Sequence, residues 1–397
     1  SNISNAFTIV LPSNLAFSNF TLQLSNSGEH LKVLPVLTDE IMCSVESLNL
    51  KFHTYIMVLE VINMKKIRLG IVGTGIAARV LHLPALKELN EKFEITALAS
   101  RTRPKAEKLA DMIEPRPTVL DNYEELLNSD LIDVVDITVP IHLNPEFTNK
   151  ALDYNYDVIC EKPLGANMNQ ARQVLTSAKN SERIVYIAEN FRHIKAFKKT
   201  KELIESGEIG DPSLLIWHEV RLAGKDAKYV NTEWRKDPKH IGGFISDGGV
   251  HHIAAIRRIM GDIKSVTAIK KTVRTYLGST DTLIANFVFE NGALGNYTVS
   301  FGLDTKQNPK KVIGTKGEIA LENNEKLILN NEKCEDTINL PKESSYRNEF
   351  NDFYDIYVGK KENNLGNVLE ATKDLAVIEA ALLSAKSSRE FDVKDLL

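Results

Sequence analysis

The sequence is short of cysteine, of long apolar runs and of any excess of charge, and each shortage closes off a class of protein. Cys43, Cys160 and Cys334 are odd in number and far apart, so they make no disulfide framework and fit a reducing compartment. The cytoplasm is the expected location. No apolar run approaches the roughly 20 residues that a membrane span needs. Forty-nine basic residues stand against 53 acidic ones, a net charge of -4. Without long runs of one sign there is no footprint for nucleic acid or for an anionic membrane. What is there is a chain of 397 residues, 43% hydrophobic and 26% charged, long enough for two packed cores. Small-molecule chemistry is the class left open.

The first 63 residues differ from the rest. They are rich in Ser and Asn, and their first charged residue is Glu29. They lack the arginines of an organellar transit peptide and the basic start of a secretory signal. Residues 1–64 are therefore expected to be an extension outside the core fold, with Met64-Lys65-Lys66 reading as a natural start. The apolar patch at 54–62 is left as a segment able to pair with something.

From Ile67 onward, strand, glycine turn and helix alternate as in a parallel sheet covered on both faces. Strands are expected at 67–72, 94–99, 118–120, 133–139, 157–160 and 183–188, which defines a dinucleotide-binding domain over 65–189. After about Asn190 the pattern changes to a helix ending near Ser206 and then to long stretches of alternating residues. Strands are expected there at 214–221, 263–274, 282–289, 293–301 and 310–321, and helices at 346–358 and 365–387. Residues 190–397 are thus a second domain for substrate and assembly, and the fold class is α/β.

Three groups of residues carry chemistry. The first, Gly73-Thr74-Gly75-Ile76-Ala77-Ala78, follows a strand and opens a helix, the context in which this spacing binds a dinucleotide. Gly73 makes the tight turn, Gly75 lets a pyrophosphate approach the backbone at a helix N-terminus, and Ala78 lets helix and strand pack closely. An ordinary glycine turn is the plainer reading of the same residues. Where the second strand ends, NAD-specific proteins place a carboxylate on the ribose, but this chain has Ala99-Ser100-Arg101-Thr102-Arg103. With no acid to repel a phosphate, a hydrogen bond from Ser100 and the planar fork of Arg101 point to NADP over NAD. Against that stands a solvated loop that happens to hold two arginines.

The second group is the strand ending in Cys160-Glu161-Lys162-Pro163, with Thr138-Val139-Pro140 at the end of the strand before it. The carboxyl edge of an open α/β sheet is where ligands bind. Pro163 stiffens the backbone there and biases Lys162 toward extended geometry. A lysine partly desolvated beside a positively charged nicotinamide loses its proton more readily, which suits a proton shuttle. Glu161 either orients that lysine or caps a structural network, and a surface lysine ending an ordinary strand is the plainer alternative.

The third group is Gly243-Phe244-Ile245-Ser246-Asp247-Gly248-Gly249-Val250-His251-His252. On a helix, Asp247 and His251 share a face. The histidine can exchange a proton with an alcohol, and the carboxylate can orient it or touch substrate. An N-capping Asp and a core His are the structural alternatives. His252 points about a quarter turn away and is expected to be structural. No third ligand of suitable spacing stands nearby, so no metal is expected.

Taken together, the three groups resemble the glucose-fructose oxidoreductase, inositol dehydrogenase and rhizopine-catabolism (Gfo/Idh/MocA) family, from about Lys65 to the C-terminus, and in particular its cytosolic NADP(H)-linked members and dihydrodiol dehydrogenases. The resemblance implies a Rossmann domain joined to an α/β domain with a large, open, mostly antiparallel sheet. It also implies homodimers formed through that sheet. On it, Lys162 and His251 serve proton transfer with Asp247 beside them, and a cis bond precedes Pro163. Residues Gly73, Thr74, Gly75, Ile76, Ala77, Ser100, Arg101, Thr138, Pro140, Glu161, Lys162 and Arg235 then hold the cofactor. In Trp234-Arg235, the first walls the pocket and the second contacts phosphate or substrate, unless they are a packed Trp and a surface Arg. One departure is Ala254, where many members carry a further acid three residues after the histidine. The expected reaction is hydride transfer between nicotinamide and a CH-OH carbon of a sugar, polyol or diol. The rivals are a nucleotide-sensing regulator without catalysis and an NAD-dependent glycosidase.

Overall fold

The computed structural model describes residues 66–397 except 363, together with three short strands before them, Ala6–Ile9, Phe20–Ser25 and Lys32–Val33, which pair antiparallel in one small sheet. The patch at 54–62 lies outside the described residues. The chain falls into two compact units, Ser1–Met64 and Lys65–Leu397. The second unit holds two larger sheets.

The first of these sheets has six parallel strands: β1 (Ile67–Val72), β2 (Phe93–Ala99), β3 (Thr118–Leu120), β4 (Val134–Ile137), β5 (Asp157–Glu161) and β6 (Val185–Ala188). They lie in the spatial order β3-β2-β1-β4-β5-β6. The strand order reverses between β1 and β4, and a crevice opens at the carboxyl ends of the strands on either side of such a point. β1 is buried at every residue but Arg68, and β4 and β6 throughout. Strands buried along their whole length in this way are what a sheet covered on both faces requires. Helices α1 (Leu83–Glu88), α2 (Arg103–Ala110), α3 (Tyr123–Leu127), α4 (Asn144–Asp153) and α5 (Met168–Lys179) connect them. The strand expected at 133–139 is shorter than read. Thr138 leaves the sheet to fold over the glycine turn, donating its hydroxyl to the Gly73 carbonyl at 2.5 Å.

After α6 (Lys195–Glu205) comes a nine-stranded sheet. Its strands are β7 (Pro212–Val220), β8 (Ile263–Lys271), β9 (Thr282–Phe289), β10 (Leu294–Ser300), β11 (Lys310–Gly314), β12 (Gly317–Asn323), β13 (Lys326–Asn331), β14 (Glu335–Asn339) and β15 (Phe391–Asp392). Their order is β14-β13-β12-β11-β7-β10-β9-β8-β15, antiparallel except where β7 meets β10. In β9, Leu283, Ala285, Phe287 and Phe289 are buried while Ile284 and Asn286 face outward. One face of the sheet is therefore covered, here by α8 (Phe244–Met260), which follows the short α7 (Glu233–Lys236), and by α10 (Val368–Ser387). The stretch expected as one strand at 310–321 is two, split by a turn at Thr315 and Lys316. Strands β13 and β14, the second of them at the sheet's edge, carry Lys, Asn and Glu residues that blunt the alternation, so the sequence pattern does not show them.

Helix α9 (Ser345–Tyr357) lies late in the chain but returns to the first sheet. Phe350 meets the His82 ring edge-on at 5.1 Å and the Phe93 ring at 5.8 Å, and Phe353 packs against Phe93 and Tyr186. Aromatic packing of this sort ties the two halves into one core.

Candidate active site

The glycine turn has the shape of an anion cradle. Gly73 sits at φ +91°, and a Cβ there would lie 2.6 Å from the Thr138 carbonyl, so only glycine fits. Gly75 faces open space instead, with nothing within 4 Å of where a Cβ would be. The backbone is thus bare on the side from which a pyrophosphate would come, while Ala78 is fully buried behind it. Ile76 and Ala77 open the helix, which then takes a five-residue π turn, Ala78–His82, before continuing as α1. Thr74 donates to the Ser100 hydroxyl oxygen at 3.1 Å, joining the turn to the end of β2. Arg103 is tied to Asp121 and Glu107, whereas Arg101 is exposed and makes no ion pair among the described residues.

Lys162 follows β5, and its peptide bond to Pro163 is cis, as the resemblance implied. Its Nζ donates to the backbone oxygen of Asp247 at 2.7 Å and to Asp247 Oδ1 at 3.2 Å. Asp247 lies in α8 one turn before His251. The lysine from the first sheet therefore touches the helix that carries the histidine. Asp247 is not the helix cap, since that position belongs to Gly243. Arg235 Nε donates to Asp247 Oδ2 at 2.7 Å, with its guanidinium 3.9 Å over the Trp234 ring and 5.0 Å over Tyr229. Arg235 thus stands with the Lys162 group rather than at the glycine turn.

The charges in this group settle one another. Burial alone would push the Asp247 carboxyl up, but Lys162 and Arg235 hold it well below the usual carboxylate range. Burial would likewise loosen the Lys162 proton, the outcome expected beside a positively charged nicotinamide. Among the protein's own groups the balance runs the other way: Asp247, Glu161 and Glu189 outweigh burial and the opposing Arg235, and raise the lysine above its ordinary value.

Behind the lysine runs a chain of buried groups that nothing local in the sequence announces. His82, at the end of the π turn, has Nδ1 2.8 Å from Asp136 Oδ2 and Nε2 3.1 Å from Glu161 Oε1. Glu161 Oε2 accepts from the backbone N–H of Lys162 at 3.1 Å. Burial opposes a charge on His82, yet Asp136 and Glu161 raise it well above the usual histidine range. It is an imidazolium between two carboxylates. Both Glu161 oxygens are engaged by the protein, one by His82 and the other by the Lys162 backbone. Asn144 completes the support, donating from Nδ2 to the Glu161 and Pro163 carbonyls at 2.7 and 2.8 Å. Pro140 precedes the short helical turn that leads into Asn144.

His251 and His252 part company as expected. His252 is buried, with Nδ1 2.8 Å from the Tyr297 hydroxyl. His251 keeps 18% of its side chain exposed, and its Nδ1 lies 2.6 Å from Glu189 Oε1. Asp247 does not touch the histidine despite sharing its helix face. The acid on His251 is Glu189, from the end of β6, and Ala254 is buried in the core. Among the described residues, no three His, Cys, Asp or Glu side chains gather as a metal site, and no helix is long and apolar enough to cross a membrane.

Comparisons with known proteins agree with this arrangement. A sequence model described as "Oxidoreductase family, NAD-binding Rossmann fold" matches residues 67–189, and one described as "GFO/IDH/MocA C-terminal domain" matches residues 197–320. An uncharacterized protein of Saccharomyces cerevisiae is 35% identical over 269 residues, 66% of this chain and 76% of its own length. A dehydrogenase of Fusarium mangiferae is 28% identical over 340 residues, 80% of this chain and 96% of its own. The crystal structure of an oxidoreductase from Thermotoga maritima superposes with a TM-score of 0.80 at 49% identity, covering 84% of this chain and 100% of that one. With an NAD-binding Rossmann domain, a large second sheet and a lysine from one meeting the helix over the other, the chain belongs to the GFO/IDH/MocA family of oxidoreductases.

Proposed function

We propose that this oxidoreductase is NADP(H)-linked and interconverts an alcohol and a carbonyl at one carbon of a sugar, polyol or diol. The observation that carries the reading is the contact between Lys162 Nζ and the helix turn that leads to His251. When bound, the nicotinamide supplies the site for hydride. Gly73, Thr74, Gly75, Ile76 and Ala77 would hold the dinucleotide through backbone N–H groups, with Thr138 and Pro140 along the crevice. The carbinol hydrogen would leave as hydride, with the electron pair of its C–H bond, while His251 takes the hydroxyl proton, and reduction reverses both. Lys162, kept as an ammonium, donates to the carbinol oxygen and offsets its developing negative charge. Asp247 and Arg235 keep that ammonium in place, and their remaining polar edges suit a ligand dense in hydroxyls.

The preference for NADP rests on Arg101, which is exposed, makes no ion pair among the described residues and lies one residue past Ser100. Arg101→Ala is expected to weaken NADP binding by about 10- to 100-fold and to leave NAD binding nearly unchanged, because a charged hydrogen bond contributes about 1.5–3 kcal/mol. Titration of the purified protein with each cofactor checks this, and equal losses for both would remove the assignment. Nicotinamide absorbance followed over a panel of sugars, polyols and diols then tests the reaction itself.

We also infer a homodimer through the outer face of the large sheet. Ile269 opposes Ile284, and Leu214 opposes Leu294, on the uncovered side, and all four are exposed. Apolar residues in register across neighbouring strands suit a self-complementary two-fold interface. Replacing Ile269 and Leu294 by Glu is expected to turn a dimer into a monomer in sedimentation, whereas a wild-type chain monomeric at every concentration would refute the inference.

A further inference from the structure

We propose that Glu189 and Phe191 form a clamp that sets both the ring angle and the tautomer of His251, presenting Nε2 to substrate as a hydrogen-bond acceptor. The proposal rests on the reading of His251 as the group that takes the hydroxyl proton. Glu189 is a positioning residue in this scheme, acting through the histidine.

The clamp is built from one short turn. Glu189 immediately follows β6 and is 2% exposed. Its Oε1 accepts from the backbone N–H of Phe191 at 3.1 Å, capping the helical turn Asn190–His193. The same oxygen lies 2.6 Å from His251 Nδ1. Two residues on, the Phe191 ring stacks on the imidazole with centroids 4.7 Å apart and planes inclined by 21°. One side chain grips the edge of the ring and the other supports its face. The turn is itself anchored, because Arg192, also buried, is ion-paired with Asp374 in α10. A hydrogen bond, a stack and a salt bridge from three residues within four positions leave the imidazole little freedom.

The direction of that hydrogen bond decides the chemistry. Glu189 Oε1 already accepts from the Phe191 N–H, and although burial would push the carboxyl up, His251, Arg192 and Lys162 favour its charged form, so the oxygen facing the ring is an acceptor. Nδ1 must therefore carry the hydrogen. In the neutral ring Nε2 is then the free lone pair, which is what an incoming hydroxyl needs. The titratable groups around the imidazole are Glu189, Lys162 and Glu161 from the first sheet and, on its own helix, His252, which burial pushes well below the usual histidine range and so keeps uncharged. Among the described residues, Glu189 is the one that meets it through a charged hydrogen bond. His252 shows the contrast: its Nδ1 is spent on the Tyr297 hydroxyl inside the core, and no carboxylate orients it.

The test reads the tautomer directly. Protein labelled with nitrogen-15 histidine, without cofactor, is examined by two-bond nitrogen–proton correlation, with His251→Asn used only to assign the signals. The wild type is expected to show a neutral His251 protonated on Nδ1. Glu189→Gln is expected to lose that preference and to lower turnover by about 100-fold, while cofactor affinity stays within a few-fold. Glu189→Asp, which keeps the carboxylate one methylene back, is expected to restore the Nδ1 tautomer and most of the turnover. Phe191→Leu is expected to keep the tautomer and lose about tenfold in turnover. An Nδ1-protonated His251 persisting in Glu189→Gln, or an Nε2-protonated ring in the wild type, overturns the clamp. Failure of the oxidoreductase reading would show elsewhere, as a wild type that turns over no nicotinamide, and would leave these spectra unaltered.

Discussion

Replacing Lys162 by Met is expected to lower turnover by about 100- to 1000-fold with little change in cofactor affinity, the size seen when one fixed donor to a developing oxyanion is lost. Met fills similar space without the charge, so the crevice keeps its shape. Asp247, the partner left behind, still has Arg235 Nε at 2.7 Å and is not stranded. Loss of activity would therefore report the missing ammonium rather than a collapsed site, and a thermal melt beside the kinetics separates the two. The structure makes the expectation more specific than the sequence did. A lysine whose proton had been loosened by burial would act as base, and its loss would flatten one limb of the pH profile. A lysine held protonated by Asp247, Glu161 and Glu189 acts as a fixed cation, so its loss lowers the rate at every pH. Turnover that survives the substitution would end its assigned role.

The second large effect belongs to His82, which touches neither proposed substrate nor cofactor. His82→Leu leaves Asp136 and Glu161 facing one another without the cation that both bind. Removing one partner of a buried ion pair typically costs about 3–5 kcal/mol, which for a unit of this size is a fall in Tm of roughly 4–7 °C. The loss depends on pH in a definite direction. The folded His82 is raised well above its unfolded value of about 6.5, so its contribution is complete below that pH and is lost as pH climbs through the folded value. Glu161 is lowered in the fold despite burial, through His82, so its contribution is complete above the unfolded value of about 4.3 and is lost as pH falls through the folded one. Both operate fully between about pH 4.5 and 6.5. The gap in Tm between wild type and His82→Leu is thus expected to be widest there and to narrow toward alkaline pH. Unfolding curves from pH 5 to 9 check this, and a gap that widened with pH would show that His82 is buried neutral.

Much of this protein was legible along the chain. The glycine turn, the strand ending at Lys162, and the shared helix face of Asp247 and His251 all follow from residues within a few positions of one another. Turn chemistry, the bareness of glycine and the 3.6-residue period act at that range, and no tertiary contact is needed to express them. The departure at Ala254 was visible too, but not what takes its place. Asp247 and His251 share a face, yet the acid on the histidine is Glu189, 62 residues earlier in the chain. Lys162 finds Asp247 across 85 residues, and His82 finds Glu161 across 79. The return of α9 to the first sheet, by which Phe350 packs on His82, spans a still longer stretch of chain.

What the sequence by itself determined was the strand-and-helix rhythm, the bare backbone at Gly73 and Gly75, and the residues able to do chemistry. Tertiary structure alone decided which carboxylate meets which cation: Asp247 with Lys162, Asp136 and Glu161 with His82, and Glu189 rather than Asp247 with His251. The physical reason is that local conformation depends on neighbours in sequence, whereas the proton affinity of a buried group depends on burial and on charges within a few ångströms, which only the packed chain brings together.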